Sequence, residues 1–103
     1  MDNTDSLMLD ALRRGILLSC GNLEMTNTAP NIHSPGLDQL RKKICEAVNK
    51  LTMAERMSVL LSAATIAGID AIASYNCGCM VNITNWSRAQ LTQLNDVIQY
   101  ISK

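Results

Sequence analysis

Cys77-Gly78-Cys79 is the pair of side chains best spaced for chemistry in this sequence. Two thiols at i and i+2 can hold a soft metal or form a redox pair. Structural zinc, however, is held by a C-x2-C knuckle joined by a second pair of ligands at similar spacing. The other candidate ligands, Cys20, His33 and Cys45, are scattered singly along the chain. No basic residue stands beside the two thiols to activate them. The simpler expectation is that they pack as small hydrophobes. His33 is the one histidine, set between Ile32 and Ser34-Pro35. Nothing in its spacing supplies the nucleophile and orienting acid that a triad needs. No catalytic, nucleotide-binding or metal motif is present. The expectation is a protein that is not an enzyme and takes no cofactor and no metal.

Charge is the next source of chemistry. The chain has nine basic and nine acidic residues, for a formal net charge of zero. Nonspecific nucleic-acid binding needs a surplus of Lys and Arg that displaces counterions. There is no such surplus, and a nucleic-acid mimic would need the opposite one. Arg41, Lys42, Lys43, Lys50 and Arg56 form a local basic cluster, but Glu46 and Glu55 are interleaved with it. A helix-turn-helix can be laid on Ala64-x3-Gly68-Ile69. Its recognition helix would then fall on Asp70–Asn76, which offers no Arg or Lys to phosphates or guanine edges. Nucleic acid is thus an unfavoured partner.

Between Arg56 and Arg88 the only charged residue is Asp70. So neutral a block belongs in a core, a partner interface or a bilayer. Met57–Tyr75 is barely long enough to span a membrane. It is also richer in Ala, Ser, Thr and Gly than in Leu and Ile, so no membrane span is expected. Asp70 then reaches the surface or a basic partner. The amino-terminal stretch places Asp2 and Asp5 ahead of any basic residue, the reverse of a signal peptide. A cytoplasmic location with reduced cysteines is the matching expectation.

The elements that position these residues read as helices, in a single domain over residues 1–103. The first is expected over about 5–20. Asp5 or Ser6 would cap it, Leu9, Leu12 and Ile16 would form its inward stripe, and Asp10 and Arg14 would pair on the outer face. A long loop over 21–34 follows, long enough to let the first helix dock on a neighbouring subunit. The second helix, about 35–50, starts at Ser34-Pro35 and carries Leu37, Leu40, Ile44, Val48 and Leu51. Thr52 and Glu55 match a capping box, so the chain is broken near residue 51. A continuous helix from 35 to about 75 is the alternative.

The third helix, about 53–75, has its best stripe at Met57, Leu60, Leu61, Ala64, Gly68, Ile69 and Ile72. It is apolar nearly all round, as a central helix is. Residues 76–86 break the pattern. Cys79, Val81 and Ile83 alternate as in a strand, but no second strand is evident, so a loop is favoured. The fourth helix, about 87–102, is capped by Ser87 with Gln90. Trp86 is placed to staple onto Leu91.

The expected fold is all-α: a small four-helix bundle-like domain with the third helix central and nearly uncharged. That helix has more apolar surface than three short neighbours cover, so a homodimer or a hetero-complex follows, with helices three and four in the interface. The contact residues expected are Met57, Leu60, Leu61, Ile69, Val81 and Trp86. The expected role is a small intracellular regulatory, adaptor or inhibitor protein acting through protein–protein contact and self-association. The alternative is a transcriptional regulator of helix-turn-helix type.

Overall fold

In the computed structural model, residues 3–13, 23–27, 35–75 and 78–103 are described. The chain is not all-α: helices share the core with a three-stranded mixed sheet. The order is α1 (Asn3–Arg13), β1 (Leu23–Thr26), α2 (Pro35–Asn49), α3 (Met53–Ala67), a single 3-10 turn (Ile69–Ala71), β2 (Ile72–Tyr75), β3 (Gly78–Asn82) and α4 (Arg88–Ile101). The helical-bundle expectation fails in two places: the third helix stops early, and the expected loops hold strands.

Gly68 stops the third helix. Its φ is +90° and its ψ 154°, a conformation open to glycine and strained for any residue with a Cβ. Its N–H still donates to the Ala64 carbonyl at 2.8 Å, closing the last helical turn. The 3-10 turn then delivers Ile72 in extended geometry (φ −106°, ψ 122°). The expected helix over 53–75 therefore ends at Ala67, and its last residues become β2.

β3 is the central strand. It pairs antiparallel with β2, with Ile72 opposite Val81 and Ser74 opposite Cys79. On its other side it pairs parallel with β1, with Leu23 opposite Cys79 and Met25 opposite Val81. The ladder runs one step further, where the Ile83 N–H donates to the Thr26 carbonyl at 2.9 Å. Leu23, Met25, Ile72, Cys79 and Val81 are buried, whereas Glu24, Ala73 and Asn82 are exposed. Along β1 and from Cys79 to Asn82 of β3 this is the period-two alternation of a sheet with one covered face, whereas β2 buries only Ile72 and leaves both Ala73 and Ser74 exposed.

The helices supply that cover. α2 and α3 both contact β1, and α3 also contacts β2. α4 packs on both α2 and α3, and α1 packs on α3 and the 3-10 turn. Ile44 and Val48 of α2, Val59, Leu60, Ala63 and Ala64 of α3, and Leu91, Leu94 and Ile98 of α4 are buried. The caps form where the residue types require them. Thr52 accepts from the Glu55 N–H at 3.2 Å while Glu55 accepts from the Thr52 N–H at 2.9 Å. Ser87 and Gln90 make the same reciprocal pair at 3.2 and 2.9 Å. These boxes set the starts of α3 and α4.

Two members of the basic cluster are structural. Arg41 is 5% exposed. Its Nε donates to the Ile83 carbonyl at 3.3 Å and its Nη1 to Asp38 Oδ1 at 3.0 Å, tying α2 to the turn after β3. Beside it, Asn82 Oδ1 accepts from the Thr84 N–H at 3.0 Å and the Thr84 hydroxyl at 2.6 Å, fixing that turn. Arg56 donates to the carbonyls of Leu51 (3.2 Å) and Asn49 (3.1 Å), the groups left open where α2 ends.

Candidate protein-interaction surface

α1 meets the rest of the chain through its smallest apolar side chain. Ala11 is 1% exposed and Leu7 is partly buried beside it. Leu7 and Ser6 lie against Ala64, Thr65 and Gly68 at the end of α3. The small residues on both helices permit that approach. Leu7 and Ala11 are four apart, so they share one face of α1, and that face is the inward one. Leu9 and Leu12, expected to point into the core, are turned out. Their exposures are 48% and 44%, and that of Met8 is 39%. The remaining member of the expected stripe, Ile16, lies outside the described residues, as does Arg14, the expected partner of Asp10.

A second feature is a shallow groove between α3 and α4. Leu61, Ile66 and Val97 give it apolar walls, with Ser58, Ser62, Thr65 and Gln93 around them. None of these seven residues is charged. The Ser62 hydroxyl donates to the Ser58 carbonyl and the Thr65 hydroxyl to the Leu61 carbonyl, each at 2.9 Å. Both hydroxyls are thus bonded to their own helix, which leaves the groove methyl-rich.

The six expected contact residues divide between core and surface. Leu60 (1%), Val81 (0%) and Trp86 (6%) are buried in the core. Met57, Leu61 and Ile69 are half-buried, and Ile69 packs against the core from the 3-10 turn. Leu61 alone of the six lines the α3–α4 groove. Sequence reasoning missed Met8, Ile66 and Val97. The available signal was at α1, where Met8 beside Leu9 and Leu12 widens the stripe beyond what one neighbouring helix covers.

Of the chemical candidates, Cys79, Cys45 and Asp70 fall within the described residues. Cys79 is fully buried in β3, while Cys77, Cys20 and His33 lie outside the described residues. Among the described residues no three His, Cys, Asp or Glu side chains come together as metal ligands do. Cys45 on α2 is half-buried, and its thiol pKa is raised, first by burial and then by the negative charge of Glu46. Neither effect activates a nucleophile. Asp70 sits exposed on the 3-10 turn. Where a helix-turn-helix would place its recognition helix, the chain forms β2. No described helix is long and apolar enough to cross a membrane. No family model, curated protein or solved structure matches this chain.

Proposed function

We propose that this chain is a small regulatory or adaptor protein, able to act as an inhibitor, that works through protein–protein contact and self-association rather than catalysis. One observation carries the reading: the outward apolar face of α1, formed by Met8, Leu9 and Leu12. Single exposed hydrophobes are ordinary, but a contiguous group on one helix face is what interaction sites present. The uncharged groove between α3 and α4 adds a second surface of the same character. A net charge of zero removes the colloidal repulsion that keeps chains apart. The reading places the protein in the cytoplasm, where Cys45 and Cys79 remain thiols. Nucleic acid is disfavoured in it: Arg41 and Arg56 of the basic cluster donate to backbone carbonyls, Glu46 and Glu55 are interleaved with Lys42, Lys43 and Lys50, and the chain has no basic surplus.

Sedimentation velocity from low micromolar to near-millimolar chain, with and without duplex DNA at low salt, tests it. An average mass that rises with concentration and ignores DNA is the expected result. A monomer throughout overturns self-association. Co-sedimentation with DNA that fades as salt is added replaces the reading with nucleic-acid binding.

A further inference from the structure

An open cavity of about 470 Å³ lies where the second half of α2 meets the first turn of α3 and the end of α4. That volume is within the range of small-molecule sites. Its apolar floor is Ala47, which is partly buried, and Leu51, which is buried. Lys43 and Lys50 stand on either side of Ala47 along α2, about 10 Å apart on the helix axis. A methyl group between two long side chains leaves the hollow. Glu46 lines the same stretch of α2. Lys43, Glu46 and Lys50 are exposed, and among the described residues none of the three has a hydrogen bond or an ion pair.

The opposite wall offers acceptors, and hydrogen bonds within the chain fix it so. Glu55 Oε1 accepts from the Thr52 N–H at 2.9 Å, which holds its carboxylate in place. The Ser102 hydroxyl donates its only proton to the Ile98 carbonyl at 2.8 Å and so offers lone pairs alone. Gln99, whose Nε2 donates to Asn95 Oδ1 at 3.5 Å, adds an amide oxygen. The α3–α4 wall thus suits a cationic donor, while the two ammonium groups of α2 suit an oxyanion. With Lys43 and Lys50 against Glu46 and Glu55, the lining has a net charge of zero. A nucleotide or phosphate ester carries too much negative charge for it, and a simple amine leaves the lysines without a counterpart.

We propose that this cavity binds a free α-amino acid with an aliphatic side chain. The ammonium group of the ligand donates to Glu55, Ser102 and the Gln99 oxygen. Its carboxylate accepts from Lys43 and Lys50, and its side chain rests on Ala47 and Leu51. This site goes beyond the protein-contact reading above and shares no residue with the α3–α4 groove. Two flexible lysines must be ordered on binding, so the affinity is modest.

Heteronuclear NMR of the full chain, titrated with L-leucine, tests the assignment. Saturable shifts are expected at the amides of Ala47, Leu51, Glu55, Gln99 and Ser102. N-acetyl-leucine lacks the ammonium and leucinamide lacks the carboxylate, and each is expected to bind at least about tenfold more weakly. Glu55→Gln keeps the capping box of α3 and is expected to weaken leucine by a similar factor. Ala47→Leu fills the hollow without touching a charge and is expected to abolish binding. Urea unfolding checks that both variants are folded. No saturable shift at these amides overturns the site. Either analogue binding as tightly as leucine overturns the zwitterion, as does displacement of leucine by an equal concentration of inorganic phosphate. Unchanged leucine binding in folded Ala47→Leu puts the ligand elsewhere and overturns the cavity.

Discussion

Gly68→Ala reverses its expected effect depending on which fold the chain adopts. Were α3 to continue to residue 75, Gly68 would sit inside a helix, and alanine there would stabilise it by about 0.5–1 kcal/mol. In the structure Gly68 has φ +90° and ψ 154°, a region that residues with a Cβ enter at a cost of about 1–3 kcal/mol. A Cβ built at Gly68 meets nothing within 4 Å, so no steric clash adds to that cost. Alanine also restricts the unfolded chain, which offsets about 0.4–1 kcal/mol. The net expectation is destabilisation by about 1–2 kcal/mol, or a Tm lower by roughly 10 °C for a domain of this size.

The matched control is Gly36→Ala in α2, the other described glycine of known surroundings. Its φ is not positive, and a Cβ there meets only Nη2 of Arg88, the far end of a flexible side chain, at 3.3 Å. That change is expected to be neutral or stabilising by up to about 1 kcal/mol. Thermal and urea unfolding of the two variants beside the parent give both signs in one experiment. A Gly68→Ala protein with a Tm at or above the parent's would refute the turn into β2, and with it the sheet.

Arg41→Ala leaves the Ile83 carbonyl and the Asp38 carboxylate without the guanidinium in a site that is 5% exposed. A loss of roughly 2–4 kcal/mol in urea unfolding is expected, with Arg41→Lys intermediate because an ammonium lacks the planar fork. A change under about 0.5 kcal/mol would mean that α2 is not tied to the turn after β3. Cys45 holds its proton more tightly when folded than when unfolded. Its contribution is therefore complete below the thiol's ordinary pKa and is lost as pH rises through that value toward the raised one. Stability should fall more steeply on the alkaline side in the parent than in Cys45→Ala. Native Cys45 should also alkylate more slowly than the unfolded chain, as followed by peptide mass spectrometry, and equal rates would contradict its burial.

What could be read from the sequence was the part written in local chemistry. The Thr52–Glu55 and Ser87–Gln90 boxes mark the starts of α3 and α4 within a residue, because a cap involves only its own turn. The stripes of α2 and α4 also packed as their spacing required, with Ile44, Val48, Leu91, Leu94 and Ile98 all buried. The sheet was not legible, for a different reason in each strand. β3 showed its alternation, but a strand needs a partner, and neither partner looked like one. β1 is four residues in a polar stretch, and it pairs parallel with a strand more than fifty residues later. β2 is written in Ile-Ala-Ser-Tyr, which continues the helical pattern of α3. Only the backbone conformation at Gly68 separates the two.

The sheet also changes which apolar surface the chain leaves uncovered. Read as one helix over 53–75, the first half of the neutral block between Arg56 and Arg88 carries more apolar surface than three short neighbours cover, which calls for a second subunit at helices three and four. The block covers itself instead. Its second half folds back as β2 and β3, and the buried side of α3 rests on that sheet and on α4. The places expected to bind a partner, Leu60, Val81 and Trp86, are filled from within the chain. α1 takes the opposite course. It needed an inward stripe to belong to a bundle, yet it docks through Leu7 and Ala11 and leaves Met8, Leu9 and Leu12 outside. The exposed apolar side chains that group on one described helix face therefore lie on α1, and a shallower groove of Leu61, Ile66 and Val97 runs between α3 and α4. Substitutions at Leu60 or Trp86 should therefore unfold the chain, whereas substitutions at Leu9 should leave the fold intact and change only what it binds.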